Sequence, residues 1–354
     1  MENSINRKKF LRISAFSAIA VGGGALVGKT IYDALTMAKE YSEARNMMGT
    51  KVEIKLGGAS DSVAQNDSAR VFTEVARLSE IFSRFDPQAQ VAKLNAQGFL
   101  SEACSELLEV LRLAKQYGNL TGGAFDVSIL PMVNLMETHF AGQRQLKSQN
   151  SAYTIVPPSA EEFAQVASLV DYRNIVIEDK SVRFAQAGMQ ISLDGIAKGY
   201  IVGKAVDILT SLGYVDVLVN GGGDIATSGK NPKGESWKIG ISHPRALAGY
   251  YAIAAIDGGA LATSGDYEVP NSYTSDNTFH HIINPKTASW SDLASATVWA
   301  PNSALADVLA TACMALGSYE GVKLIEKVEG AECLLIKKDL SFVQSSAFPT
   351  SKII

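Results

Sequence analysis

The sequence predicts an α+β protein: one domain, about residues 45–345, of mixed sheets with covering helices. Three observations predict it. Helix-period apolar patterns lead the chain, strand-period patterns crowd its second half, and two or three later helices are spaced to cover those strands. At 354 residues the chain can bury a sizeable core. Hydrophobic residues at 47%, charged residues at 19% and 30 glycines fit a globular protein with many turns.

Taken in order, Lys51 to Leu56 alternates strictly and reads as a half-buried strand. A helix over about Ser68 to Phe82 sets Val71, Val75, Leu78 and Phe82 on one face. Ser83-Arg-Phe-Asp-Pro87 breaks it, and Val91 to Asn95 opens a short element. Ser105 to Tyr117 is a second amphipathic helix, closed by the glycines before Ala124-Phe125-Asp126. Thr138 to Pro158 is polar and proline-terminated, and reads as a surface loop. A helix near Ala160 to Leu169 precedes short strands at Asn174–Ile177 and Val182–Phe184. From Ile191 to Asp224 an apolar strand turns through Asp194-Gly195 into a helix over about Ile196 to Leu212. The chain returns there as strand Val215–Asn220, ending in three glycines and an acid. Trp237–Ser242, Tyr250–Ile256, Gly259–Thr263, Phe279–Asn284 and Ala296–Ala300 are further strands. Helices over Ser303–Leu316 and near Tyr319–Val328, then a strand at Glu332–Lys337, complete the domain.

Residues 1–30 differ from the rest. Arg7, Lys8 and Lys9 precede an uncharged run from Ile13 to Gly28, the pattern of an export signal or a membrane anchor. The order Arg7-Lys8-Lys9-Phe10-Leu11 resembles a twin-arginine leader with lysine at the second arginine. A periplasmic location, or anchorage to the outer face of the cytoplasmic membrane, is the expectation. A formal charge of −4 argues against nucleic acid as a partner. Three cysteines without close spacing make no disulfide framework, and no His/Cys cluster suits zinc.

The candidate chemistry is spread along the chain. Lys198 stands in the first turn of its helix, as a solvated lysine or as a cation for an anion held at the helix start. Asp194 reads as an N-cap or as a ligand acceptor. The glycines 221–223 mark close ligand approach or a tight strand exit. Asp307 and Thr311, four apart on a helix, share a face. A carboxylate and a hydroxyl there form the sparse oxygen set that magnesium uses when substrate phosphates complete it, unless Thr311 only bonds back along its own helix. His281 is a candidate base or a strand histidine.

In sequence order the motifs are Met48-Gly-Thr50, Ser83-Arg-Phe-Asp-Pro87 and Thr121-Gly-Gly-Ala-Phe-Asp126. Gly195-Ile-Ala-Lys-Gly-Tyr200, Asn220-Gly-Gly-Gly-Asp224 and Thr263-Ser-Gly-Asp-Tyr267 follow, then His281-Ile-Ile-Asn-Pro-Lys-Thr287 and Ala306-Asp-Val-Leu-Ala-Thr311. This series resembles the ApbE-like family of FAD:protein FMN transferases over about residues 45–340. The resemblance implies a T-fold-like domain and a magnesium-dependent enzyme that cleaves FAD and releases AMP. FMN would move onto a Thr or Ser hydroxyl of a partner flavoprotein, in a Ser/Thr-Gly-Ala-Ser/Thr context. It further implies that Met48, Phe85, Ala124, Phe125, Asp126, Asp194, Lys198 and Ile283 bind FAD. The Gly195 carbonyl, Asp307 and Thr311 would hold magnesium, with His281 or Asp307 as base. The alternatives are a magnesium-dependent FAD pyrophosphatase yielding FMN and AMP, and a non-catalytic FAD-binding assembly module. The chain departs from the family at Ser192, where aspartate is usual, at Asp194 and Ala288, where glycine is, and at Gly203, where aspartate is.

Overall fold

Alternating and helical apolar patterns here sort into three layers. The computed structural model describes residues 40–354 except 59–60, 247, 268–272 and 275–276, so the expected leader lies outside the described residues. Its strands are β1 (Glu40–Met47), β2 (Thr50–Gly57), β3 (Phe99–Leu100), β4 (Ile175–Glu178), β5 (Ser181–Phe184), β6 (Val217–Gly221) and β7 (Ile225–Ser228). Then come β8 (Trp237–Ser242), β9 (Tyr250–Ile256), β10 (Gly259–Gly265), β11 (Leu293–Ala300), β12 (Glu332–Lys337), β13 (Phe342–Gln344) and β14 (Thr350–Ile353). The helices are α1 (Asp61–Phe82), α2 (Gln90–Gln97), α3 (Ser105–Leu120), α4 (Leu130–Gln149), α5 (Ala160–Ala167), α6 (Ala197–Ser211), α7 (Ser303–Leu316) and α8 (Ser318–Ile325).

An eight-stranded sheet, ordered β1-β2-β6-β7-β10-β11-β12-β13, divides the molecule. Val52, Ile54 and Leu56 of β2 are fully buried on one face, joining the main core with α1, α6 and α7. Lys51, Glu53 and Lys55 therefore point to the opposite face. On that face Leu218, Ile225 and Leu261 pack against a three-stranded sheet, β14-β9-β8, through Ile239, Ile241 and Ala254. A small third sheet, β3-β5-β4, stands apart from both. Helix α7 is buried on almost every side, which explains its run of Ala, Val, Leu, Cys and Met. The α+β expectation holds.

Several local expectations do not. The polar stretch after Thr138 continues α4 to Gln149, so only residues 150–158 are irregular. Met132, Met136, Phe140 and Gln143 recur at helical spacing and bury one face of α4. Its Glu, Gln, Arg and Lys are good helix formers as well as polar residues. Ile191 to Leu193 joins no sheet. Both backbone groups of Ile191 are instead taken by the Asn95 side-chain amide, at 2.7 and 2.8 Å. Phe279–Asn284 is likewise not a strand. It packs through Phe279 and Ile283 into an aromatic cluster with Phe140, Tyr273 and Trp290. Helix α1 begins at Asp61, ahead of the expected Ser68. Among the described helices none is long and apolar enough to cross a membrane.

Candidate active site

Two glycines in Gly195-Ile-Ala-Lys-Gly199 set the geometry. A Cβ at Gly199 would lie 2.5 Å from the Ser303 carbonyl oxygen and 2.7 Å from Asp307 Cβ. One at Gly195 would lie 2.9 Å from Thr311 Oγ1. Glycine spacing on one element thus matches Ser303, Asp307 and Thr311 on α7, and the start of α6 beds directly on that helix. Asp307 is only 4% exposed, and its Oδ2 accepts the Gly199 N–H at 3.0 Å. The Thr311 hydroxyl meets the Ser264 hydroxyl at 3.3 Å, placing β10 beside the pair.

Lys198, between those glycines, turns the other way. Its Nζ is 2.9 Å from Oδ2 of Asp224, which is almost fully buried at the β6–β7 turn. Burial raises the Asp224 carboxyl above its ordinary range, and the Lys198 ammonium pulls it back. The turn itself is the tight strand exit. Asn220 Oδ1 accepts the N–H groups of Gly222 and Gly223, both at 3.1 Å. Gly222 has φ +76, and a Cβ there would fall 2.2 Å from Thr50 Oγ1, so no other residue fits. Thr50 follows the β1–β2 turn at Met48 and Gly49, with φ 53 and 70. The left-handed Met48 is a local strain that presents its side chain near Gly221.

Asp194 does not cap α6. The N-cap position is Ile196, and the Asp194 carboxylate accepts Arg84 Nε at 3.0 Å with its side chain 64% exposed. Arg84 also approaches Glu137 at 3.6 Å and lies 4.1 Å over the Phe85 ring. Phe85 is 74% exposed, an aromatic face held open by a cation. Ser192 is buried, and its hydroxyl accepts the Asp194 N–H at 3.1 Å. Asp126 is satisfied internally by Ser128 N–H and O–H and by Tyr172 N–H, at 2.8, 2.7 and 3.1 Å. Its burial nevertheless pushes its pKa up. Phe125 packs within 3.3 Å of where a Gly195 Cβ would stand.

His281 follows the fully buried His280. Burial pushes their pKa values down from 6.5, to about 4 for His281 and about 3 for His280, so both are neutral at pH 7. Asp194 opposes that shift at His281 and Lys198 adds to it. Among the described residues, His281 Nδ1 is buried without a hydrogen-bond partner.

All the residues that the resemblance assigns to FAD, metal or base border one cavity of about 1320 Å³: Met48, Phe85, Ala124, Phe125, Asp126, Asp194, Gly195, Lys198, His281, Ile283, Asp307 and Thr311. Gly222 and Gly223 border it as well, and Gly221 does not. Arg84, Ser264 and Asp224 carry no individual signal in the sequence, although each lies within a quoted motif. Arg245 carried no local signal. It reaches back from the loop after β8 to hold the buried Asp266 through two contacts of 2.7 Å. For a cation, the described residues offer no cluster of three His, Cys, Asp or Glu side chains. One buried carboxylate beside hydroxyls of Thr311 and Ser264 is a hard, oxygen-only set, and it fits magnesium completed by ligand phosphates.

Fold and cavity together define a family. The sequence model of the ApbE family matches residues 48–335, and the chain belongs to it. Among its relatives, the FAD:protein FMN transferase of Haemophilus influenzae is 28% identical over 331 residues, spanning 89% of this chain and 92% of that protein. The FAD:protein FMN transferase of Treponema pallidum is 26% identical over 352 residues, with 93% and 92% covered. The ApbE protein of Thermotoga maritima superposes with a TM-score of 0.73 at 26% identity, covering 87% of this chain and 97% of that one. The apo form of the flavinyl transferase ApbE of Pseudomonas stutzeri gives 0.71 at 25% identity, covering 88% and 96%.

Proposed function

We propose that this protein transfers FMN from FAD to a Ser or Thr hydroxyl of a partner flavoprotein, releasing AMP, and that it needs magnesium. The observation that carries this reading is the convergence, on one cavity, of a lysine held by a buried carboxylate, a set of hard oxygen donors and exposed aromatic surface. Phe85 and Phe125 offer flat apolar faces to rings, and Lys198 offers charge to a pyrophosphate. Asp307, Thr311 and the Gly195 carbonyl would hold the metal. Bound there, magnesium supplies neutralisation of the pyrophosphate's charge. His281 is the better base, because its Nδ1 is unpartnered among the described residues while Asp307 already accepts the Gly199 N–H. A pyrophosphate brought beside His281 raises its low pKa toward the working range.

The acceptor belongs, in this reading, to a membrane or periplasmic redox system and carries a Ser/Thr-Gly-Ala-Ser/Thr segment. The basic-then-apolar run from Arg7 to Gly28 supports an exported or outer-face location. The test incubates the protein with FAD, magnesium and a peptide centred on Ser-Gly-Ala-Thr, reading peptide mass and AMP. Peptide carrying FMN with AMP released is the expected result. AMP alone means hydrolysis, and bound FAD with neither product means a binding module.

A further inference from the structure

The cavity extends well past the residues assigned to FAD and metal. At about 1320 Å³ it exceeds the roughly 300–1,000 Å³ of a single-ligand pocket. The extra space follows β8. Residues 238–242 all line it, although their side chains alternate between the two faces of the small sheet. Consecutive residues share a cavity in this way only when it runs along the strand's edge. β8 pairs with β9 on one side, and it ends the order β14-β9-β8, so no described strand ladders with its other side.

What lies beside that edge is open sheet face. The small sheet stops at β8, leaving Lys51, Glu53 and Lys55 of β2 to floor the cavity. Gly240, midway along β8, has no side chain, and a Cβ there would meet the Tyr250 ring at 2.3 Å. The exposed Tyr250 ring therefore lies over the strand at its centre, so the main chain of β8 is bordered by an aromatic face. A vacant edge above an open face is the setting for strand addition, where main-chain hydrogen bonds give the affinity.

We propose that the acceptor's hydroxyl-bearing segment docks on β8 as a fourth strand of the small sheet. This rests on the transferase reading, and the reaction favours it. A Ser/Thr-Gly-Ala-Ser/Thr segment has little side chain to grip, so recognition falls to its backbone, which an unpaired edge satisfies. Its small residues also leave room for the Tyr250 ring that covers Gly240. The same cavity leads from β8 to Lys198 and Asp307, so a docked segment shares one chamber with the proposed chemistry. Along the path Lys55 pairs with Glu53 at 4.0 Å and Lys238 with Glu235 at 3.9 Å, and Lys51 adds one further positive charge, which suits a neutral or acidic segment.

Amide hydrogen exchange on the whole protein tests this without any substitution. The protein is mixed with FAD and magnesium, alone or with a peptide centred on Ala-Gly-Ala-Ala, which cannot accept FMN. Exchange at residues 238–242 should slow roughly tenfold or more with peptide and stay unchanged with FAD alone. Equal slowing by FAD alone would seat the dinucleotide on the edge and overturn the docking. So would unchanged exchange when the Ser-Gly-Ala-Thr peptide is flavinylated normally. AMP release without any flavinylated peptide removes the transferase reading, and the docking with it.

Discussion

Ala288 shows how a single departure from the family reads in physical terms. The turn after Pro285-Lys286-Thr287 puts this residue at φ 50, the left-handed region where the resemblance expects glycine. An L-residue there carries strain, so Ala288→Gly should raise stability by about 1 kcal/mol. A higher denaturation midpoint with an unchanged m-value would bear this out; a lower midpoint would refute it. Asp194 is subtler. The Ser192 hydroxyl bonds its N–H, and its carboxylate reaches out to Arg84 at the border of the cavity. Asp307 has the sharper test. Asp307→Asn keeps an acceptor for the Gly199 N–H but loses the charge, so folding should survive while the proposed magnesium-dependent transfer falls roughly a hundredfold or more. Retained turnover in that variant would refute the metal site. Lys198, Asp307 and Thr311 were legible from residue type and spacing. Arg84 and Arg245 were not, because their carboxylate partners lie far away in sequence.

At the level of elements, the Gly195–Gly199 motif carries more than its carbonyl. Both glycines exist so that the start of α6 can touch α7, and this contact delivers Asp307 to the Gly199 N–H. Gly199→Ala drives a methyl into the Ser303 backbone oxygen, a group that cannot swing aside. The expected result is a loss of about 1–3 kcal/mol together with turnover, since the carboxylate shifts with its helix. Wild-type stability and activity in this variant would show that the helices can part freely. The same scale explains the sequence errors. Helix α4 looked like a loop because its exposed face is strongly polar, and its buried face meets only a satellite cluster. Ile191–Leu193 looked like a strand because apolar extended chain is equally stable clasped by an amide such as Asn95.

For the molecule as a whole, acidity is the lever. His280 has no exposed surface, and its two ring nitrogens lack partners among the described residues. Its pKa falls from 6.5 to about 3, so between those values the unfolded chain binds a proton that the native one does not. Stability from this site is complete above about pH 6.5 and is lost as pH falls toward 3. Asp126 and Asp224, whose pKa values burial raises, act in the opposite sense at the lower end of that range. A His280→Leu variant isolates the histidine: its stability should fall less steeply from pH 7 to 5 than that of the wild type, followed by chemical denaturation. Equal slopes would mean that His280 charges normally in the native state.

The sequence by itself determined which residues are chemically able and which elements carry them. The alternation of β2, the apolar breadth of α7, the glycine spacing before Lys198 and the Asp307–Thr311 pair are local facts, set by side-chain period and propensity. Tertiary structure decided what those residues face. Lys198 meets Asp224 at the β6–β7 turn, and Asp194 meets Arg84 rather than a helix end. The cavity opens onto β8 because the small sheet ends one strand short of covering β2. Such pairings join residues up to 110 positions apart, and no local period encodes a contact at that range.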